Sequence, residues 1–120
     1  MPNIAETIKK VRSFSELENG WHFGEGVAPS TRVQDKAIAV LHGVQMIGLS
    51  RSNAFPGVNG EIEITFYHRD SFLELTFETD GSLTIPGDED RWPALFKEGF
   101  SIADVITKLS YCKWQSLNLT

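Results

Sequence analysis

The spacing of apolar residues changes once along this chain, from a helical period to a strand period, and that change limits the folds open to it. Between residues 31 and 47, Val33, Ala37, Val40, Leu41, Val44 and Ile47 recur at three- and four-residue steps, which places them on one face of a helix. Between residues 62 and 85 the step is two. Ile62, Ile64 and Phe66 alternate with Glu61, Glu63, Thr65 and Tyr67. Leu73, Leu75 and Phe77 alternate with Glu74, Thr76 and Glu78, and Leu83 and Ile85 continue the series. Strict alternation describes strands with one apolar face and one wet face. The expected fold class is therefore α+β, with helices packed on one face of a small three-stranded antiparallel β-meander. A length of 120 residues suits a single domain, 1–120, with one core.

Register follows from the same alternation. Phe77 and Leu83 share the apolar face only if they sit opposite each other, with Glu78 opposite Ser82 and a three-residue loop of Thr79, Asp80 and Gly81. The common form of that loop ends in a glycine at positive φ. A two-residue Asp80-Gly81 turn would split the apolar residues between faces. Phe66 should likewise face Leu73, around a tight Arg69-Asp70 turn or a four-residue loop.

The remaining elements are read from caps and breakers. Ile4, Ile8, Val11 and Phe14 form the stripe of a first helix, 4–14, with Asn3 as N-cap and Glu6 three positions on. Residues 13–29 read as a glycine-punctuated loop anchored by Trp21 and Phe23. Pro29-Ser30-Thr31 starts the long helix, with Ser30 or Thr31 as its cap; if Thr31 is the cap, Gln34 completes a capping box. Gly48 ends that helix. Residues 50–60 read as a second loop, with Phe55-Pro56-Gly57 and Asn59-Gly60 as turn signals. Residues 86–99 are mostly turn, with one short helical turn at Leu95 and Phe96. A last helix starts at the cap Ser101, stapled by Phe100 and Val105, with Ile102, Val105, Ile106 and Leu109 on its apolar face. The tail 111–120 either extends that helix or adds an edge strand.

The net charge of −5 is unevenly spread. Residues 1–60 sum to +1 and residues 61–120 to −6. An acidic half repels a phosphate backbone, and the basic cluster Lys9, Lys10 and Arg12 reads as a solvated helix face, so nucleic acid is not an expected partner. No apolar run approaches the roughly 20 residues of a membrane span, and the opening MPNIAETIKK lacks a signal peptide's apolar stretch. The expected setting is the cytoplasm. One cysteine, Cys112, excludes an intrachain disulfide and reads as a small buried hydrophobe.

Candidate chemistry is sparse. Glu61, Glu63, Glu74 and Glu78 should all point from the wet face of the meander. There Glu61 lies across from Glu78, and Glu74 across from Thr65, close enough to share a hard cation. The competing reading is that these acids solubilise an exposed sheet. His22, His42 and His68 have no zinc-signature spacing, and no G-x-S-x-G elbow is present. Gly24-x-Gly26 lacks the strand before it and the Lys-Ser/Thr after it that a phosphate loop requires. No cofactor is implied. Trp21, Phe23, Phe55, Trp92 and Trp114 are the candidate interaction surface, as aromatics carried on loops and tail.

Asn19-Gly20-Trp21, Gly24, Gly26 and Pro29-Ser30 before a long helix resemble a pattern in small uncharacterised bacterial proteins. Their later part is similar to Phe55-Pro56-Gly57, Asn59-Gly60-Glu61, Leu73-Glu74-Leu75 and Asp80-Gly81, so the likeness covers residues 17–85. It implies a bacterial or mobile-element origin and brings no activity or catalytic residue. The expected function is a non-enzymatic protein–protein interaction module (an adaptor, chaperone-like, inhibitor or antitoxin-like subunit), working through sheet edge and aromatic surface with a protein partner or a second copy as a dimer. The alternative is a small metal-dependent hydrolase or metal-binding protein using the acidic sheet face.

Overall fold

A computed structural model of the chain describes residues 2–85, 101–109 and 115–116. Helix α1 spans Ile4–Ser13 and runs into a 3₁₀ turn at Phe14–Glu16; α2 spans Thr31–Met46. Four strands follow, β1 (Arg51–Pro56), β2 (Ile62–His68), β3 (Ser71–Phe77) and β4 (Leu83–Thr84), then α3 (Ile102–Leu109) and a two-residue β5 (Gln115–Ser116). The sheet is antiparallel in the order β1-β2-β3-β4, with β5 also pairing β3. The class is the expected one, helices packed against a four-stranded antiparallel sheet.

The caps behave as their chemistry requires. Asn3 Oδ1 accepts the Glu6 N–H at 2.8 Å. Of the two candidate caps, Ser30 is the one that caps α2: its hydroxyl accepts the Val33 N–H at 3.3 Å. Gln34 therefore has no part in the capping box that a Thr31 cap would have made, and it is buried instead. Gly48 adopts φ +92° just past α2. Ser101 accepts the Asp104 N–H at the start of α3. Phe100, the partner of the expected staple, lies outside the described residues, as do residues 86–99 and most of the tail; its described part, β5, is an added strand.

The register of β2–β4 is the expected one, with Phe66 opposite Leu73, Phe77 opposite Leu83, and a tight Arg69-Asp70 turn. Residues 50–60 depart from expectation, because Arg51–Pro56 is a strand. Its inward positions are Ser52 and Ala54, too small to print an apolar alternation, and Pro56 is tolerable only on an edge strand. The β1–β2 and β3–β4 connections then prove to be the same hairpin. Gly57 N–H donates to Glu61 O at 2.8 Å and Glu78 N–H to Ser82 O at 2.9 Å, with Gly60 and Gly81 at φ +92° and +90°. A side chain at either third loop position would be strained.

The core lies between the inner sheet face and the helices. Phe66, Phe77, Ile62, Ile64, Leu75 and Leu83 from the sheet meet Val33, Ala37, Val40, Leu41 and Val44 of α2 and Ile4 and Val11 of α1. Val105 and Leu109 complete it from α3. Burying each large side chain contributes about 1.5–3 kcal/mol. A polar seam joins α1 to β1: the buried Thr7 and Ser52 hydroxyls meet at 2.7 Å, and Thr7 also donates to Ser52 O at 3.1 Å.

Candidate interaction surface

The loop between α1 and α2 is a built structure rather than slack chain. Gly20 N–H donates to Gly26 O at 2.8 Å, closing a small ring of backbone. Inside it, His22 and Glu25 exchange hydrogen bonds at 2.7 and 3.0 Å across a two-residue turn of Phe23 and Gly24. Both turn residues have positive φ, +53° and +91°, as in the mirror-image hairpin turns that favour glycine and asparagine. A phenylalanine in that region is a genuine outlier. The residue is 96 % exposed. His22 packs edge-on to Phe23 at 5.0 Å and to Trp21 at 5.4 Å.

Three anchors hold this knuckle. Trp21 Nε1–H donates to Val27 O at 3.1 Å, and Val27 N–H donates to Val58 O at 3.0 Å, tying the loop to the β1–β2 hairpin. The third is Gln34, 1 % exposed. Its amide donates to Ser15 Oγ at 2.7 Å and to Pro29 O at 3.1 Å. Ser15 and Pro29 flank the loop on either side, so one buried side chain staples both stems. Nothing in a sequence pattern separates this glutamine from an ordinary helix residue except its place beside Val33 on the apolar face.

The candidate aromatics therefore divide. Phe23, expected with Trp21 to anchor the loop, is instead exposed at its tip, where a two-residue turn carries it away from the core, whereas half-buried Trp21 is a strut. Phe55 lies on β1, 44 % exposed, with Lys10 Nζ 4.4 Å from its ring centre; burial pushes the Lys10 ammonium pKa down. Trp92, Trp114 and Cys112 lie outside the described residues.

The sheet-edge route to a partner is closed along β1. Its outward backbone N–H groups belong to Ser52 and Ala54, and Pro56 has none. Ser52 N–H donates to Pro2 O at 3.0 Å and Ala54 N–H to Asn53 Oδ1 at 2.9 Å. Edges capped in this way do not template a further strand.

The four glutamates lie where expected, on the outward sheet face, with Glu74 opposite Thr65, Glu63 opposite Thr76, and Glu61 next to Glu78 one step past the Ile62–Phe77 pair. Partial burial, with repulsion from Glu61, Asp80 and Glu63, holds the Glu78 carboxyl above its ordinary pKa, against a 3.4 Å hydrogen bond from Thr84. No group of three or more His, Cys, Asp or Glu side chains among the described residues is arranged to hold a metal ion. An open recess between the ends of α1 and α2, of about 410 Å³, is lined by Asn3, Ile4, Ala5, Gln45, Gly48, Leu49 and Ser50. It offers no titratable side chain for acid–base chemistry.

No family model, no curated protein and no solved structure matches this chain. Among the described residues no helix is long and apolar enough to cross a membrane. The described surface presents an aromatic tip on a braced loop and an outward sheet face of glutamate, threonine and aromatic side chains.

Proposed function

We propose that this chain is a non-enzymatic protein–protein interaction module, an adaptor, chaperone-like, inhibitor or antitoxin-like subunit, and that the knuckle around Phe23 is its contact. One observation carries the reading. Phe23 combines near-complete exposure with a strained backbone held by a closed hydrogen-bond ring. A free fold gains nothing from that combination, since glycine or asparagine would be less strained and more soluble. A partner pocket gains a rigid aromatic anchor at little ordering cost. Residual strain at an exposed tip is the pattern of a site kept for its function. The acidic second half of the chain favours a protein, or a second copy as a dimer, over nucleic acid, in the cytoplasm of a bacterial cell.

The experiment is affinity capture from the native cell with the wild-type chain and with Phe23→Ser, after thermal melts have shown the two equally folded. A protein retained by the wild type and lost with Phe23→Ser is the expected result. An identical set of retained proteins would sink the reading.

A further inference from the structure

The outward face of the sheet has an unusual centre. Thr65, on the central strand β2, faces outward between Ile64 and Phe66, yet it is only 8 % exposed. Its hydroxyl makes no hydrogen bond among the described residues. A buried hydroxyl left in that state is costly, so this one stands ready for a polar group from outside. Its cross-strand neighbours are Asn53 and Glu74. Asn53 is already occupied: its Oδ1 takes the Lys10 ammonium at 2.8 Å. Glu74 is exposed, as is Glu63 two positions before Thr65, and no described lysine or arginine pairs with either; the ion pair formed among the described residues is Arg12–Asp35. Glu63 and Glu74 are diagonal neighbours, for which the spacing is about 7–8 Å, a gap that one ammonium or guanidinium can bridge. Lys10 shows the chemistry in place, lodged between the Asn53 amide and the Phe55 ring on the same face.

We infer that this face docks a cationic segment of a partner protein, one lysine or arginine of which enters between Glu63 and Glu74 and donates to the Thr65 hydroxyl. The inference rests on the interaction-module reading but uses a surface separate from the Phe23 knuckle. Charge complementarity selects the occupant: unpaired carboxylates around a buried acceptor reject acidic segments and phosphates.

The test titrates the purified chain with a short synthetic peptide of alternating lysine and threonine, followed by fluorescence anisotropy at low salt. Glu63→Gln with Glu74→Gln is expected to weaken binding about tenfold, and Thr65→Val about threefold. Glu16→Gln with Glu18→Gln, which removes the same charge elsewhere, should change it less than about twofold. Absent binding of the wild type, equal weakening by both double variants, or equal-affinity displacement by spermidine would each overturn the proposal. Phe23→Ser should leave peptide binding intact, so failure here and failure of the knuckle reading are seen in different variants.

Discussion

Lys10 Nζ stands 2.8 Å from Asn53 Oδ1, and the same oxygen accepts the Ala54 N–H at 2.9 Å. A helix lysine and an edge-strand asparagine thus act together to close the outer side of β1. Pro2 O and the imino nitrogen of Pro56 complete the closure. The edge is protected by specific side chains, so it can be reopened by specific substitutions. Asn53→Ala should leave the Ala54 N–H unpaired, at a cost of about 1–2 kcal/mol. Adding Pro56→Thr restores an outward donor. Sedimentation velocity over a concentration series should then show stronger self-association than the wild type; an unchanged series would mean that the edge is guarded by something else.

Phe23 carries the second prediction. Its φ of +53° is one that asparagine tolerates and phenylalanine does not. Phe23→Asn should therefore stabilise the fold by about 1 kcal/mol, raising Tm by about 3 °C, while removing the proposed aromatic contact. Phe23→Ala, which keeps most of the backbone strain, should lose the contact without the gain. A Phe23→Asn variant that melts lower than Phe23→Ala would show that the turn is not strained.

The contrast between these two regions shows what was legible from residues alone. Strands β2, β3 and β4 were readable because their inward positions are Ile, Phe and Leu, which print the alternation. β1 was not, because Ser52 and Ala54 are its buried residues and Phe55 points outward. A signal was nevertheless present: Asn59-Gly60 stands before Glu61 as Asp80-Gly81 stands before Ser82, and both pairs close the same three-residue hairpin. At the knuckle the glycines marked bends correctly. Which aromatic would be strut and which tip depended on the φ values of Phe23 and Gly24, which follow from hydrogen bonds closed within the loop rather than from any periodic pattern.

Gln34 links the core to the knuckle. Gln34→Leu keeps its approximate size but strips two hydrogen bonds from Ser15 and Pro29. The expected cost is about 1–3 kcal/mol, with the loss concentrated in the loop. Hydrogen exchange should show faster exchange at the Gly20, His22 and Glu25 amides than at those of α2. Uniform acceleration across the whole chain would indicate a general packing defect instead.

The outward sheet face ties the stability of the fold to pH through Glu78. Glu78 has its pKa raised in the folded chain, first by partial burial and then by Glu61. Between its unfolded value, near 4.5, and its folded value, the folded chain holds more proton than the unfolded one. Stability therefore falls as pH rises through that window and stays lower above it. Asp80 acts in the opposite direction. The Ser82 hydroxyl and N–H, at 2.6 and 2.8 Å, hold its carboxyl below 3.8, so that contribution is lost as pH falls through the still lower folded value. Glu78→Gln retains a group able to accept from Thr84 and removes only the charge. It should raise Tm at pH 7 by about 2 °C in low salt, the scale of one relieved cross-strand repulsion, and the gain should shrink towards zero below about pH 4 and in high salt. Melts of both chains across that range decide the matter: a Tm difference independent of pH would show that the Glu78 charge is not what the fold is resisting.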